Sequence, residues 1–425
     1  MTFPPGFLWG TATSAHQVEG NNTGNDWSAW EQQPGRIACG HRSGRACDWW
    51  RAAEADFDRM AAMSQTAHRL SVEWSRLESV PGRWDDAALA RYRAMLSGLR
   101  QRGITPMVTL HHFTFPLWVA RRGGWLWPDL PQAFARFAAY VADGLGDLVA
   151  LWCTINEPVV AVALGYVTHH FPPGAGGLLA ARRALVNAIR THAAAYHVLH
   201  ARRPAAPAGI AMNLRIYDPA RPASRLDRLV AGVQDRTVNW AVLNALRTGL
   251  LRLWLRPVPI PEAMGTTDYI GVNYYTRDRV EFDLRRPRTL FGRNFHTPGA
   301  VLSDGGYGEI YPEGLYRVLM RTQTYGWPIY VTENGLPDAD DDLRPAFLVN
   351  HLRELARARA AGCDVRGYFH WSLIDNFEWA AGWTLRFGLI AVDPETQART
   401  PRPSAALYAE ICRTGRLPAA GATRS

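Results

Sequence analysis

Leu151-Trp152-Cys153-Thr154-Ile155-Asn156-Glu157-Pro158 is a short apolar run that ends in a carboxylate and a proline. Such a run predicts a buried strand, which Pro158 ends. Pro328-Ile329-Tyr330-Val331-Thr332-Glu333-Asn334-Gly335 has the same form, with glycine in the place of the closing proline. Each glutamate therefore lies at the C-terminal end of a predicted strand, which in a parallel barrel is the end that carries the chemistry.

Short apolar runs of this kind recur along the chain and alternate with amphipathic stretches of helical length. The predicted strands cover residues 7–13, 67–72, 106–111, 151–156, 208–213, 269–273, 329–332 and 367–371. Helical stretches between them include 87–102, 132–145, 178–200 and 345–361. Repeated βα units without hairpin signals indicate a parallel sheet covered by helices. Eight such units predict an α/β fold of the (β/α)8 TIM-barrel type.

The length of 425 residues and the 47% hydrophobic content suit one large α/β barrel or two average domains. Because no stretch resembles an interdomain linker, we expect a single domain over residues 1–413 and a loose C-terminal tail over 414–425. An open doubly wound sheet is the alternative, and it would need a Gly-rich phosphate turn after an early strand. Gly20-Asn21-Asn22-Thr23-Gly24 is the nearest candidate, and it lacks the required glycine spacing.

The net charge of +9 alone would allow a polyanionic partner. All 47 basic residues are arginines, however, and they form neither a basic stripe nor a nucleic-acid motif, so we expect no nucleic-acid partner. The five cysteines form no Cys-x-x-Cys pair and have no histidine spacing suited to zinc. No signal core precedes the first predicted strand, and no apolar run is long enough to span a bilayer. We therefore expect a cytoplasmic protein with reduced thiols and no membrane contact.

Polar and aromatic residues collect at or just beyond the C-terminal ends of the predicted strands. They are Gln17, Glu19, Arg69, His111, His112, Asn156, Glu157, Asn273, Tyr275, Glu333, Trp371, Glu378 and Trp379. Polar side chains can bind adjacent hydroxyls and aromatic faces can cover the apolar side of a sugar ring, so this ring of residues suits a polyhydroxylated ligand. His111 and His112 point to opposite faces of one strand, and His111 is expected to be a packed core residue.

The motifs together resemble glycoside hydrolase family 1 from Phe3 to about Tyr408. The matching segments begin at Phe7, His68, Leu110, Thr154, Gly271, Tyr311, Thr332 and His370; they include Thr154-Ile155-Asn156-Glu157-Pro158, Thr332-Glu333-Asn334-Gly335 and His370-Trp371-Ser372-Leu373-Ile374-Asp375-Asn376-Phe377-Glu378-Trp379. Each segment is weak alone, but their order is highly specific.

The resemblance implies a (β/α)8 barrel that cleaves a terminal β-linked sugar with retention of configuration. By motif position, Glu157 would be the acid/base and Glu333 the nucleophile. Arg69, Asn273 and Tyr275 would surround the nucleophile. The residues expected to bind the sugar are Gln17, His112, Asn156, Tyr275, Trp371, Glu378 and Trp379.

Elementary electrostatics suits these roles. The cation of Arg69 and the hydroxyl of Tyr275 would favour the ionised form of Glu333. The charge of Glu333 would raise the pKa of Glu157 until the sugar esterifies Glu333, after which the pKa of Glu157 should fall. We expect a small β-glycoside or short oligosaccharide as ligand, with no metal and no organic cofactor; oligomeric state is not predicted.

Several positions depart from the family pattern. Leu385 and Phe387 stand where relatives that act on 6-phosphosugars carry lysine and tyrosine, so an unphosphorylated sugar is expected. Val159 and Phe113 replace frequent tryptophans on the leaving-group side, Tyr307 is the remaining aromatic candidate there, and the segment 215–267 is short for the family. The preferred interpretation is a β-glucosidase with β-galactosidase or β-fucosidase side activity. A transglycosylating β-glycosidase and a catalytically weak sugar-binding relative remain as alternatives.

Overall fold

A computed structural model of the protein describes residues 1–419. Eight parallel strands form a closed barrel in which each strand pairs with its neighbours in chain order and the last pairs with the first. The barrel strands are Leu8–Ala12, Ala67–Ser71, Thr105–His111, Leu151–Asn156, Ala208–Asn213, Ile270–Tyr274, Ile329–Asn334 and Val365–Trp371. The predicted barrel is confirmed, and its carboxyl ends bring the polar residues of the sequence pattern to one face.

Helices connect the strands and cover the outside of the barrel. The α-helices are Ala15–Val18, Asp26–Trp30, Trp49–Ala62, Trp74–Leu77, Asp86–Gln101, Leu117–Arg121, Leu130–Leu145, Pro158–Tyr166, Leu178–Arg202, Arg225–Gln234, Ala241–Thr248, Pro312–Gln323, Arg344–Ala360 and Pro403–Thr414, with a π-helical turn at Asp235–Trp240.

Local sequence explains why these helices form. In Leu130–Leu145 the buried side chains include Phe134, Phe137, Val141 and Leu145, which recur every three or four residues and so form one apolar face. The carboxylate of Asp85 accepts a hydrogen bond from the backbone N–H of Ala88 at 2.8 Å and caps the helix Asp86–Gln101.

The absence of hairpin signals was misleading, because small antiparallel pairs lie outside the barrel. Arg277–Phe282 pairs with Gly292–Phe295, Ile390–Val392 with Arg399–Pro401, and Leu250–Leu251 with Val258–Pro259. These strands are short and belong to loops around the barrel, so they leave no long alternating pattern in the sequence.

The C-terminal segment is attached to the N-terminus. The predicted loose tail began at residue 414, but Phe3 donates a backbone hydrogen bond to the carbonyl of Gly415 at 2.8 Å and Thr2 forms a bridge with Arg416. Leu417 is buried in the main core. These contacts hold residues 414–417 on the barrel, while 420–425 lie outside the described residues.

Candidate active site

Glu157 and Glu333 face one cavity at the carboxyl ends of the barrel strands. Glu157 directly follows Leu151–Asn156, whereas Glu333 lies within Ile329–Asn334. Both are buried, and both line a cavity of about 430 Å³. The two glutamates that the sequence places at separate strand ends therefore share one site.

The backbone is irregular at both glutamates. Glu157 has φ 48° and ψ 57°, a left-handed conformation that costs a non-glycine residue roughly 1 kcal/mol or more, and Pro158 then begins the helix Pro158–Tyr166. The ladder shifts register between Cys153 and Asn156 on one strand and between Val331 and Glu333 on the other. Irregularities of this kind change the direction in which a side chain points, here at each carboxylate.

Glu333 is held by two donors. Nη1 of Arg69 lies 2.5 Å from Oε1 of Glu333, and the hydroxyl of Tyr275 donates to Oε2 at 2.7 Å. Burial raises the pKa of Glu333 above its ordinary value, against the opposing effects of the Arg69 charge and the Tyr275 hydroxyl. Both contacts fit the ionised carboxylate, which can only accept hydrogen bonds.

Among residues 1–419, no cation lies within hydrogen-bond reach of Glu157, and its side chain accepts from amides alone. Its Oε1 accepts from Nδ2 of Asn273 at 2.7 Å and from Nδ2 of Asn213 at 3.0 Å. Burial, followed by the negative charge of Glu333, raises the pKa of Glu157 to about 7. The two carboxyls therefore have different partners in one cavity: a cation and a hydroxyl favour the charged form of Glu333, whereas amides alone hydrogen-bond Glu157.

Asn273 lies between the two glutamates. Asn273 and Glu333 are register partners on neighbouring parallel strands, so Asn273 lies beside the predicted nucleophile. Its side-chain amide, however, donates to Glu157 and to Asn156, and its oxygen accepts from Thr332 at 2.6 Å. The observed hydrogen bonds therefore connect Asn273 mainly to the predicted acid/base.

Gln17 lies behind Glu378 and does not line the cavity. Its amide nitrogen donates to Oε2 of Glu378 at 3.1 Å and to Oδ1 of Asn376 at 2.8 Å, and its oxygen accepts from Ser14 at 2.6 Å. Burial and then the charge of Glu333 raise the pKa of Glu378 to about 8, against the effect of the Gln17 hydrogen bond. Gln17 thus positions a carboxyl of the cavity wall, and its direct contact with a sugar stays a prediction.

Three predicted sugar-binding rings form a stack in the cavity wall. His112 lies nearly parallel to Trp371 at a centroid distance of 5.8 Å and to Trp379 at 6.0 Å. Its Nε2 lies 3.2 Å from Nδ2 of Asn156. Burial and the charge of Arg69 hold the pKa of His112 well below its usual range, so the imidazole is neutral and can accept that hydrogen bond.

Some of the predicted site residues line the cavity, and the others hydrogen-bond those lining residues. His112, Asn156, Glu157, Tyr275, Glu333, Trp371, Glu378 and Trp379 line the cavity. Gln17, Arg69 and Asn273 are absent from that lining, and each hydrogen-bonds a residue that belongs to it. His111 packs against Phe115 and Trp125 outside the cavity, as a core histidine would.

The cavity wall also contains the residues that depart from the family pattern, together with others that the sequence did not reveal. Phe113, Val159 and Tyr307 all line the cavity, and Tyr307 packs edge-on against Tyr275 at 6.0 Å. Asn213 ends a predicted strand, so the strand-end pattern could have identified it. Arg215 comes from a loop, where no periodic signal exists.

One group of carboxylates in the described residues is close enough to share a cation: Asp338, Asp340 and Asp342. These aspartates lie outside the cavity lining, and Asp338 accepts from the backbone N–H groups of Leu343 and Arg344 at the start of the helix Arg344–Ala360. Asp338 therefore has a helix-capping function in this fold.

The sequence matches the profile described as Glycosyl hydrolase family 1 over residues 1–246 and 260–416. This match covers far more than half of the chain. The chain belongs to glycosyl hydrolase family 1. The unmatched residues 247–259 fall within the segment 215–267 that is short for the family. Members of this family are retaining glycosidases, and the cavity described above is the candidate active site of this family 1 glycosidase.

Curated relatives and solved structures agree with this membership. The chain is 33% identical to a beta-galactosidase of Saccharolobus solfataricus, in an alignment that covers 98% of this chain and 96% of the relative. It is 30% identical to beta-glucosidase A of Thermotoga maritima, and that alignment covers 98% of each chain. A beta-glycosidase from Pyrococcus horikoshii superposes with a TM-score of 0.92 at 38% identity, covering 98% of this chain and 96% of that one. Thermotoga maritima beta-glucosidase in complex with glucoimidazole superposes with a TM-score of 0.93 at 29% identity, covering 98% and 100%.

Within residues 1–419, none of the helices of this family 1 glycosidase combines the length and the apolarity that crossing a bilayer demands.

Proposed function

We propose that the chain is an exo-acting retaining β-glycosidase that hydrolyses terminal, unphosphorylated β-D-glycosides. Glucose is the proposed preferred sugar, with galactose and fucose as slower alternatives. The observation that carries this proposal is the contrast between the two glutamates of the cavity. Glu333 accepts hydrogen bonds from Arg69 and Tyr275, whereas Glu157 accepts from the amides of Asn273 and Asn213 and has a pKa of about 7.

In the first step, an oxygen of Glu333 attacks the anomeric carbon while Glu157 gives its proton to the departing glycosidic oxygen. The bond from the anomeric carbon to that oxygen breaks as the ester with Glu333 forms. The product alcohol leaves with the proton of Glu157.

In the second step, Glu157 takes a proton from water, and the resulting hydroxide oxygen attacks the anomeric carbon. The charge of Glu333 is absent in the ester, so the contribution that it makes to the raised pKa of Glu157 is lost. The bond between the anomeric carbon and the oxygen of Glu333 breaks in this attack, which returns the negative charge to Glu333, and Glu157 keeps the proton taken from water. Two inversions at one carbon give retention.

The cavity wall supports a neutral sugar. Glu378 would repel a phosphate when ionised and can bind a hydroxyl in either protonation state. Asn156, whose Oδ1 accepts from Arg69 at 2.6 Å, is placed beside Glu157 to bind the 2-hydroxyl. Trp371 and its stacked neighbours offer an aromatic face for the C–H side of the ring.

The test is a panel of 4-nitrophenyl β-glycosides with the purified protein, followed by proton NMR of the first-formed sugar. We expect the β-glucoside to be among the best substrates and the β-anomer of glucose to appear first. A tenfold preference for the galactoside or mannoside would overturn the proposed sugar, and first appearance of the α-anomer would overturn the proposed mechanism.

A further inference from the structure

A second cavity of about 380 Å³ adjoins the active-site cavity. Its walls come from the helix Pro158–Tyr166, the start of the helix Leu178–Arg202, the π-helical turn Asp235–Trp240 and the loop 286–294. The two cavities share the side chains of Val159, Ala163, Tyr217 and Val238. These shared residues form the boundary between the two spaces.

The second cavity lies on the side from which the leaving group departs. Val159 and Ala163 belong to the helix that begins directly after Glu157, the residue placed to protonate the leaving oxygen. Trp371 and Glu378, on the sugar side, line only the first cavity. Val159, Ala163 and Val238 contribute small side chains to the boundary between the cavities, and Tyr217 contributes a larger one.

The walls of the second cavity are mostly apolar. Val162, Val167, Leu178, Leu185, Leu253 and Trp254 all contribute to the lining. A concave apolar site of this size is typical of small-molecule binding, because burial of apolar ligand surface is favourable.

The charged residues of this lining are all cations. They are Arg182, Arg286, Arg288 and Arg293, and no aspartate or glutamate of residues 1–419 belongs to the lining. Arg293 is paired with Glu281 at 2.5 Å. Among residues 1–419, Arg286 and Arg288 form no ion pair, and both are exposed. Two guanidinium groups at the rim are therefore available to an anion, and they match a carboxylate in shape and charge.

We propose that the second cavity is an aglycone site for β-glycosides whose leaving group is an apolar chain ending in a carboxylate. This inference rests on the proposed β-glycosidase function and names a substrate class for it. The sugar occupies the first cavity, the chain runs past Val159 and Val238 into the second, and the carboxylate binds Arg286 and Arg288. Hydrolysis then releases the sugar and an ω-hydroxy acid, whose hydroxyl carries the proton from Glu157.

The test compares three classes of glucoside with the purified protein: methyl β-D-glucoside, n-alkyl β-D-glucosides of six to twelve carbons below their micelle concentrations, and ω-carboxyalkyl β-D-glucosides of matched length. We expect the best alkyl glucoside to have at least tenfold higher kcat/KM than the methyl glucoside. At low ionic strength, kcat/KM for the matched carboxyalkyl glucoside should be at least fivefold higher than for that alkyl glucoside. Because salt screens exposed charges, 0.5 M NaCl should remove most of this fivefold difference.

Matched variants distinguish a direct contact of the substrate carboxylate with Arg286 and Arg288 from attraction by the net positive charge of the loop. The double variant Arg286→Gln/Arg288→Gln should abolish the carboxylate advantage and leave kcat/KM for the alkyl glucosides unchanged. Arg285→Gln is the control, because Arg285 is exposed, pairs with Asp283 and lies outside the lining. It should retain the advantage.

A third variant fills the cavity. Thr237 is half-buried and lines only the second cavity, so Thr237→Trp should raise KM for the long glucosides and leave methyl glucoside turnover unchanged. Leu229→Trp is the surface control, since Leu229 is exposed and lies outside both linings. If Thr237→Trp fails to fold, the arginine variants still decide the proposal.

Failure of the aglycone proposal and failure of the proposed function give different results. If 4-nitrophenyl β-glucoside is hydrolysed but the alkyl and carboxyalkyl glucosides are no better than methyl glucoside, the aglycone proposal is wrong and the proposed function stands. A chain advantage without a carboxylate advantage also overturns the aglycone proposal. If the protein cleaves no β-glycoside at all, the proposed function itself fails.

Discussion

Arg69 and Glu333 form an ion pair inside the barrel mouth, with Nη1 of the guanidinium 2.5 Å from Oε1 of the carboxylate. Both side chains are almost fully shielded from solvent, at 1% and 5% exposed. The other terminal nitrogen of Arg69 donates to Asn156 at 2.6 Å, so a single guanidinium connects the predicted nucleophile to the residue preceding Glu157. The pair favours ionisation of Glu333 and fixes its orientation.

Arg69→Met removes this cation and leaves a buried carboxylate unpaired. Loss of one partner of a buried ion pair costs about 3–5 kcal/mol, and the pKa of Glu333 should rise. We expect the glycosylation rate to fall by about 10²–10³-fold, measured by single-turnover release of 4-nitrophenol. Arg317→Met is the control, because Arg317 pairs with Asp218 outside the cavity, and it should retain the rate. A full rate for Arg69→Met would contradict the assigned function of the pair.

Tyr275→Phe removes the second donor to Glu333. A hydrogen bond to a charged group contributes about 1.5–3 kcal/mol, so kcat/KM should fall by roughly ten- to a hundredfold. The pKa of Glu333 should rise, which moves the acidic limb of the pH profile to higher pH. Tyr274→Phe is the control, because the hydroxyl of Tyr274 donates to the carbonyl of Tyr311 and not to Glu333. The acidic limb of its pH profile should not move.

The alkaline limb of kcat/KM should report Glu157. Its pKa of about 7 means that the acid form is lost above neutral pH, so the rate should decline there. Glu157→Gln should remove this limb and slow substrates with poor leaving groups by about 10²–10⁴-fold. The 2,4-dinitrophenyl β-glucoside needs no proton, and its glycosylation rate should be nearly unchanged. An alkaline limb that persists in Glu157→Gln would show that another group is the acid.

Glu378 should make the fold less stable as the pH rises. Its pKa is raised from 4.5 in the ordinary carboxyl to about 8 in the cavity, so the folded state binds more protons than the unfolded state between these values. The stabilisation is complete below about pH 4.5 and is lost as pH rises through 8, with an upper limit of roughly 4–5 kcal/mol. Glu378→Gln should therefore melt at a higher temperature than the wild type at pH 8.5 and show little difference at pH 4.5.

Glu313→Gln is the control for this measurement, because Glu313 is exposed and lies outside the cavity lining. Its Tm difference from the wild type should not change with pH. If Glu378→Gln behaved in the same way, the raised pKa of Glu378 would be refuted.

The sequence predicted the barrel strands well because each is a short apolar run bounded by strand-breaking residues. Residues 151–156 and 208–213 were predicted with the observed bounds, and the fold placed their ends in one cavity as expected. The hydrogen bond from Gln17 to Glu378 joins residues 361 positions apart and leaves no local signal. Arg215 and Val238, in the leaving-group wall, come from irregular loop and π-helical segments, where periodicity carries no information.

The most direct test of the proposed retaining mechanism is to identify the residue that forms the covalent intermediate. Treatment with 2-deoxy-2-fluoro-β-D-glucosyl fluoride should inactivate the wild-type enzyme with one label per chain, and mass spectrometry of the digested protein should place that label on Glu333. A label on Glu157 or Glu378, or continued hydrolysis without any covalent adduct in the wild type, would contradict the proposed mechanism.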